Sequence, residues 1–249
     1  MNVVLLRTEL RRAVRNRRTL IFTAVLPAVF FMIFSATNQT GSLDGVKVAP
    51  YLMVSMGTYG AMNALFSGGG LIASERAIGW PRQLRVAGLR SRDYVLTKVT
   101  IAYLTAVPGL ILVFVLGATQ QNVRLATGRW LLLGLSVLLA LLPVAALGVA
   151  IGYLVRAQSL QPLIGIGSAM LALLGGIWVP AETFSRFLLD AVKLLPTYWA
   201  AEAGRAVLRG SWIGWEGVAV VAFWTLVLGA LAAHGYQRDA LRPAAAGAT

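Results

Sequence analysis

Six stretches of this chain contain no Asp, Glu, Lys or Arg, and they constrain its fold more than any other feature. They cover residues 19–43, 48–74, 99–123, 130–155, 157–181 and 217–237 and are 25, 27, 25, 26, 25 and 21 residues long. A helix needs about 20 apolar residues to cross roughly 30 Å of hydrocarbon. Lipid offers no water to an unpaired backbone, so only helices and closed barrels span it. The runs are continuously apolar rather than alternating, which argues against a barrel. The prediction is an all-α polytopic membrane protein with six transmembrane helices, residues 1–249 forming a single transmembrane domain.

Composition supports this. Of 249 residues, 58% are hydrophobic and 12% charged, more apolar surface than a soluble domain of this length can bury. With no cysteine and one histidine, His234, the chain has no disulfides, thiolate metal sites or cysteine nucleophiles, and a histidine metal cluster is excluded. Intramembrane metal-dependent hydrolases and prenyl transferases need clustered His or acids, and no span holds an acidic pair.

Charge fixes the expected orientation. If six spans place both termini on one side, that side carries 15 of the 22 Lys and Arg and 4 of the 9 acids. Its net charge is +11, against +2 on the other side, which by the positive-inside rule puts both termini in the cytoplasm. The basic surplus is thereby explained without nucleic acid, for which no docking element is present. Trp130, Trp178, Trp199, Trp212 and Trp215 fall near the expected outer ends, as an interfacial aromatic belt would.

Residues 2–18 read as an interfacial amphipathic helix rather than a signal peptide, because the apolar stretch after Arg17 and Arg18 is too long and no small-x-small cleavage site follows. Val3, Leu6, Leu10 and Val14 recur at helical spacing. Arg7, Arg11, Arg15 and Arg18 lie on another face, their stems snorkelling to lipid phosphates. The helix is either a topology anchor or a docking surface for a cytoplasmic partner.

Two segments are not spans. In the loop 75–98, Pro81 suits the first turn of a short helix 81–87 closed by Gly88, and Ser91 is placed to cap the next helix. The loop is either simply basic or a structured element. In the outer segment 182–212, Phe184, Phe187, Leu188, Ala191 and Leu195 trace a helical stripe that Pro196 breaks. Thr197 starts a second short helix that Gly210 ends. A cytoplasmic tail, 238–249, follows the last span.

Order and spacing together make the chain resemble the membrane subunit of a type-2 ABC exporter, a permease family of bacterial drug, lipid and polysaccharide export. The loop residues Glu75-Arg76, Gly79, Leu84, Leu89, Ser91-Arg92, Tyr94 and Lys98 carry the likeness. So do Pro180-Ala181-Glu182-Thr183, Leu195-Pro196-Thr197, Glu202 and Arg205. Gly88 stands where the family usually has Pro, and Trp80-Pro81 is unusual for it. The resemblance implies that Glu75, Arg76, Pro81, Arg82, Leu84 and Arg85 couple the chain to a cytoplasmic ABC ATPase. It also implies that the outer helices, with Pro180, Glu182, Pro196, Glu202 and Arg205, help close the exit path, and that a second copy or related permease completes the pathway.

The chain has no Gly-Lys pair and hence no Walker A loop, so no cofactor is expected on it and ATP and Mg belong to the partner subunit. It is read as a transport subunit, not an enzyme, with no catalytic or metal residues. The spans offer few polar groups, so the expected cargo is amphiphilic or lipid-like, and the family resemblance implies that it moves outward across a bacterial-type cell membrane. The alternative is an ion-coupled secondary transporter. Such a protein usually keeps an acid inside the membrane, whereas all nine acids here lie outside the runs, Glu216 beside the last one. Gly68-Gly69-Gly70 reads as close packing or local helix flexibility. Gly148 and Gly152 form a GxxxG pair for tight contacts between or within subunits. Pro27, Pro108, Pro143 and Pro162 are candidate kinks.

Overall fold

A computed structural model describes residues 3–37, 41–86, 88 and 91–241. It is built from helices. In chain order these are α1 (Val3–Arg15), α2 (Arg17–Leu20), α3 (Leu26–Thr37), α4 (Val48–Ala77), α5 (Trp80–Val86), α6 (Ser91–Gln120), α7 (Thr127–Ala140), α8 (Leu142–Leu154), α9 (Ala157–Leu174), α10 (Arg186–Val192), α11 (Pro196–Arg209) and α12 (Gly214–Leu241). Among the described residues, four segments are long and apolar enough to cross a membrane: Asp93–Gln120, Thr127–Leu154, Ala157–Leu174 and Gly214–Asp239, with Thr23–Thr37 as a shorter apolar helix. The protein is thus an all-α polytopic membrane protein.

The axis of the bundle is α4, 30 residues or about 45 Å long, and buried over most of its length. It packs chiefly on α6 and α8, and α12 lies against α8. The contact with α8 depends on glycine. A methyl group on Gly69 would come 2.0 Å from the Gly148 carbonyl oxygen, and one on Gly152 would come 2.7 Å from the Gly69 carbonyl oxygen. The glycine run and the GxxxG pair therefore meet each other, inside one subunit, and the run serves close packing.

Proline and local geometry account for the breaks. A π-helical turn, Ile21–Val25, joins α2 to α3. Pro27 has no N–H to give the Thr23 carbonyl four residues back. That carbonyl instead faces two crossing helices, 2.7 Å and 2.4 Å from where methyl groups on Gly60 and Gly109 would stand. The run 130–155 is two helices, α7 and α8, because Leu141 leaves helical geometry (φ −85°, ψ 3°) just before Pro143. Pro108 and Pro162 sit within unbroken helices.

Three boundaries differ from the charge-free runs by more than five residues. Within the run 19–43 the described helix ends at Thr37, and Ser42–Leu43 and Val46–Lys47 pair as antiparallel strands β1 and β2. Asp44 and Gly45 both have positive φ (48° and 70°), as a two-residue type I′ turn requires. Neither expected helix signals nor charge counting exposes this hairpin, although the Asp-Gly pair does. Helix α9 stops at Leu174, seven residues short of the run's end, where Gly176 turns the chain with φ +67°. Helix α6 begins at Ser91, before its run, because charged Asp93 and Lys98 are accommodated inside it.

The outer segment follows expectation more closely. Ser185 caps α10 by accepting from the Leu188 amide at 3.4 Å. Pro196 occupies the first turn of α11, and Gly210 ends that helix at φ +74°, with the Ser211 amide reaching back to Ala206 O at 2.8 Å, a left-handed C-terminal cap. The aromatic belt is narrower than expected. Trp212 and Trp215 are exposed, but Trp199 is buried with Nε1 donating to Lys193 O at 2.7 Å. Trp178 packs edge-on against Tyr59, and Trp130 lies tilted against Phe114.

Candidate functional site

The end of the bundle that carries α1 and α5 is organised by two adjacent residues, Glu75 and Arg76, in the last turn of α4. Glu75 is 2% exposed. Its Oε1 accepts from Lys98 Nζ at 2.7 Å and Arg12 Nη1 at 3.2 Å, and its Oε2 accepts from the Tyr94 hydroxyl at 2.6 Å. Lys98, equally buried, also pairs with Glu9 Oε2 at 2.8 Å. Two carboxylates and two cations thus join α1, α4 and α6, and the cluster balances in charge. A buried carboxylate needs this, since an uncompensated one is strongly disfavoured.

Arg76 reaches another side of the bundle. Its Nη1 donates to Gly152 O at 2.8 Å and its Nη2 to Asp239 Oδ1 at 2.7 Å, while its guanidinium lies 5.3 Å from the centre of the Tyr153 ring. It therefore fastens α4 to α8 and α12. Neighbours on a helix point about 100° apart, so one turn of α4 binds two groups of helices.

Helix α5 projects from this node. Gly79 (φ +75°) turns the chain out of α4, Pro81 stands in the first turn of α5, and Gly88 (φ +83°) follows its end. The helix spans Trp80–Val86, one residue earlier than expected. Leu84 packs inward on the cluster around Ile72, Tyr94, Val149 and Tyr153. Ile78 (71% exposed), Trp80 and Val86 (92% exposed) face outward. The side chains of Arg82 and Arg85 lie outside the described residues. Among the coupling candidates, then, Leu84 seats the short helix, Glu75 and Arg76 anchor the turn of α4 from which it projects, and apolar residues outside that set, Ile78, Trp80 and Val86, are the exposed ones.

Of the N-terminal arginines, Arg7, Arg11 and Arg15 are exposed. The side chain of Arg18 lies outside the described residues. The residues of α1 that join the node, Glu9 and Arg12, were not anticipated. The available signal was that Glu9 is the only acid among six arginines in the first 18 residues.

A second feature lies within the bundle. Asn16, Thr19, Asn63, Ser67 and Ser74, together with Leu71, Leu160 and Ile164, line a cavity of about 420 Å³ between α2, α4 and α9. Part of its polarity is satisfied within the helix: Asn63 Nδ2 donates to Tyr59 O, and the Ser67 and Ser74 hydroxyls donate to Asn63 O and Leu71 O. Residues 63, 67, 70, 71 and 74 share one face of α4, a polar stripe that counting charges could not find.

At the opposite end, Arg205 of α11 is wholly buried. Its Nη2 donates to Ser55 Oγ at 2.9 Å and to Gly176 O at 2.5 Å, and its guanidinium stacks 3.9 Å from the Tyr51 ring centre. It ties α11 to α4 and to the turn after α9. Glu202 bonds Arg209, which also pairs with Asp44 of the hairpin. Burial raises the Glu202 carboxyl above its ordinary value, and the Arg209 hydrogen bond offsets part of that rise. Pro196 is buried at the start of α11, and Pro180 precedes the 3₁₀ turn Ala181–Thr183 and accepts from the Thr183 hydroxyl at 2.7 Å. The Glu182 side chain lies outside the described residues. Three of the five outer candidates, Pro196, Glu202 and Arg205, thus share one helix, and Arg205 reaches the Gly176 turn that leads to Pro180.

Comparison with known proteins agrees with this architecture. Residues 34–234 match the family model described as ABC-2 family transporter protein. The chain is 23% identical over 220 residues to the Bacillus subtilis (strain 168) protein described as "Putative transport permease YvfS", covering 88% of this chain and 90% of that protein.

Proposed function

From the premise that the chain belongs to the ABC-2 family of transporter proteins, a family of ABC transport permeases, we propose that it moves an amphiphilic or lipid-like substrate outward across a bacterial-type cell membrane. Six segments cross that membrane, α2 to α3, α4, α6, α7 to α8, α9 and α12, with both termini in the cytoplasm. ATP and Mg are bound by separate ABC ATPase subunits seated on α5 and α1. A second copy, or a related permease, faces the first across α9.

The observation that carries this reading is the outward face of α5. Ile78, Trp80 and Val86 are exposed at the tip of the helical bundle, beyond the end of α4 and before α6 enters its span. A cluster of exposed apolar side chains marks an interaction surface, and one at the tip of the bundle suits a partner subunit. Behind that face, Leu84 seats the helix on the bundle, and the Glu75–Arg76 turn fastens its root to five other elements: α1, α6, α8, α12 and α4 itself. A displacement of α5 by a closing ATPase is therefore passed to the spans rather than absorbed in a loose loop.

The cargo class rests on the cavity between α2, α4 and α9. Its hydroxyls and amides stand beside Leu71, Leu160 and Ile164, a lining that suits a molecule with both polar and apolar parts. The exposed Leu163, Ile166 and Met170 of α9 offer the surface across which a second permease would enclose the path.

The test is co-expression with the ATPase and reconstitution in vesicles. Val86→Asp is expected to weaken the complex about tenfold or more, as loss of an apolar anchor does, and to remove stimulation of ATP hydrolysis while insertion stays normal. Undiminished ATPase binding and transport by this variant would take α5 out of the mechanism. A chain that never associates with an ATPase, and transports on an ion gradient alone, would defeat the reading as a whole.

A further inference from the structure

Where α4, α8, α9 and α12 part, next to Arg76, they enclose a cavity of about 700 Å³ that the coupling mechanism does not use. Arg76, Tyr153, Arg156, Gln158, Arg238 and Asp239 provide its polar lining. The Arg76–Asp239 pair is neutral. Arg156 and Arg238 are exposed, and neither makes an ion pair among the described residues. The cavity therefore carries two uncompensated positive charges, within a volume typical of small-ligand sites.

Its depth identifies the source of the matching anion. Leu154, Ala157 and Asp239 line it, and they are the terminal residues of three membrane-crossing segments. The cavity thus sits where hydrocarbon gives way to headgroups. Ala73 and Leu154 provide an apolar wall below the arginines. Basic pockets between transmembrane helices at this level take phosphate headgroups. A zwitterionic lipid would bring its own cation among the arginines, whereas a phospholipid with net negative charge would not.

We infer that this cavity is a binding site for one anionic phospholipid, its phosphate held by Arg156 and Arg238 and its acyl chains descending past Leu154 along α12. Assigning it to the inner leaflet rests on the orientation proposed above. Binding itself does not, so the experiment reads headgroup charge rather than sidedness.

The experiment measures lipid retained by the purified full-length chain in native mass spectrometry, titrated with phosphatidylglycerol or phosphatidylcholine in mixed micelles. The unmodified protein is expected to retain phosphatidylglycerol about tenfold more tightly than phosphatidylcholine. Arg156→Gln with Arg238→Gln is expected to abolish that preference, while Arg124→Gln with Arg129→Gln at the opposite end leaves it intact. Equal retention of the two lipids by the unmodified protein, or an unchanged preference in the Arg156/Arg238 variant, overturns the site. Displacement of phosphatidylglycerol by equimolar inorganic phosphate also overturns it, and gives the cavity to a soluble anion. A preference that disappears once ATPase subunits are assembled overturns it too, and gives the cavity to the partner. Should the double variant not purify as a monodisperse protein, the lipid comparison and phosphate competition on the unmodified chain decide the matter.

Discussion

Glu75→Ala is expected to destabilise the folded chain by about 3–5 kcal/mol, the range seen when one member of a buried ion pair is removed. The loss is large because Lys98 and Tyr94 are buried beside Glu75 and neither can turn to water. Arg12, whose side chain is mostly exposed, can, and adds little. Thermal unfolding of the purified protein, followed by tryptophan fluorescence, reads the effect, and an unchanged midpoint would contradict the described network. The double variant Glu75→Gln with Lys98→Met should not recover, since it leaves Glu9 buried without its cation. Adding Glu9→Gln removes all three buried charges and is expected to restore most of the stability, because a neutral replacement of a whole buried network is often well tolerated. Transport is expected to stay impaired in the triple variant, since α1 and α6 are then no longer fastened to the root of α5. Recovery of transport together with stability would reduce the node to a structural staple.

Gly69→Val is expected to be at least as damaging, for a steric reason. The side chain would start 2.0 Å from the Gly148 carbonyl oxygen. That neighbour is backbone, so no rotamer change relieves the clash. Overfilling a packed interior costs about 1–3 kcal/mol where side chains can still adjust, and here α4 and α8 must separate. The Arg76–Gly152 hydrogen bond spans the same crossing, so the damage extends to the node. Gly229→Ala on α12 serves as the contrast: its added methyl meets nothing within 4 Å, and an effect within about 0.5 kcal/mol is expected. Equal unfolding temperatures for the two variants would refute the α4–α8 contact.

The layers of this fold differ in how openly the chain displays them. The apolar segments are visible because burying charge in hydrocarbon is so unfavourable that its absence marks them. Their ends are not, because Ser42, Gly175 and Gly176 are as uncharged as leucine and yet belong to a hairpin and a turn. Pro143 in the first turn of α8 does announce the break at Leu141, as the glycine after α11 announces its end. The Glu75–Arg76 pair stands out in a sequence of few charges, but its partners do not. Glu9 and Lys98 are 89 positions apart in the chain, and Glu9, through which α1 is paired to α6, lies outside the apolar stripe that makes α1 amphipathic. The outward residues of α5 were passed over for its arginines because exposed apolar side chains are read only from a surface. Likewise the polar stripe on α4 has meaning only once α9 lies opposite and a cavity remains between them.

Helix α9 is 18 residues long, about 27 Å of rise, while α6 and α12 run to 30 and 28 residues. A hydrocarbon layer about 30 Å thick is deeper than α9 is tall, and a short helix draws the surrounding lipid inward at a modest cost per ångström. On the proposed arrangement, with α9 as a span, the membrane beside it is expected to thin where one wall of the cavity between α2, α4 and α9 stands. A polar headgroup crossing there, as the proposed cargo would require, would have less hydrocarbon to traverse than beside the longer α6 and α12. Lengthening α9 would test this directly, since it would restore the full barrier without touching a single polar side chain of the path.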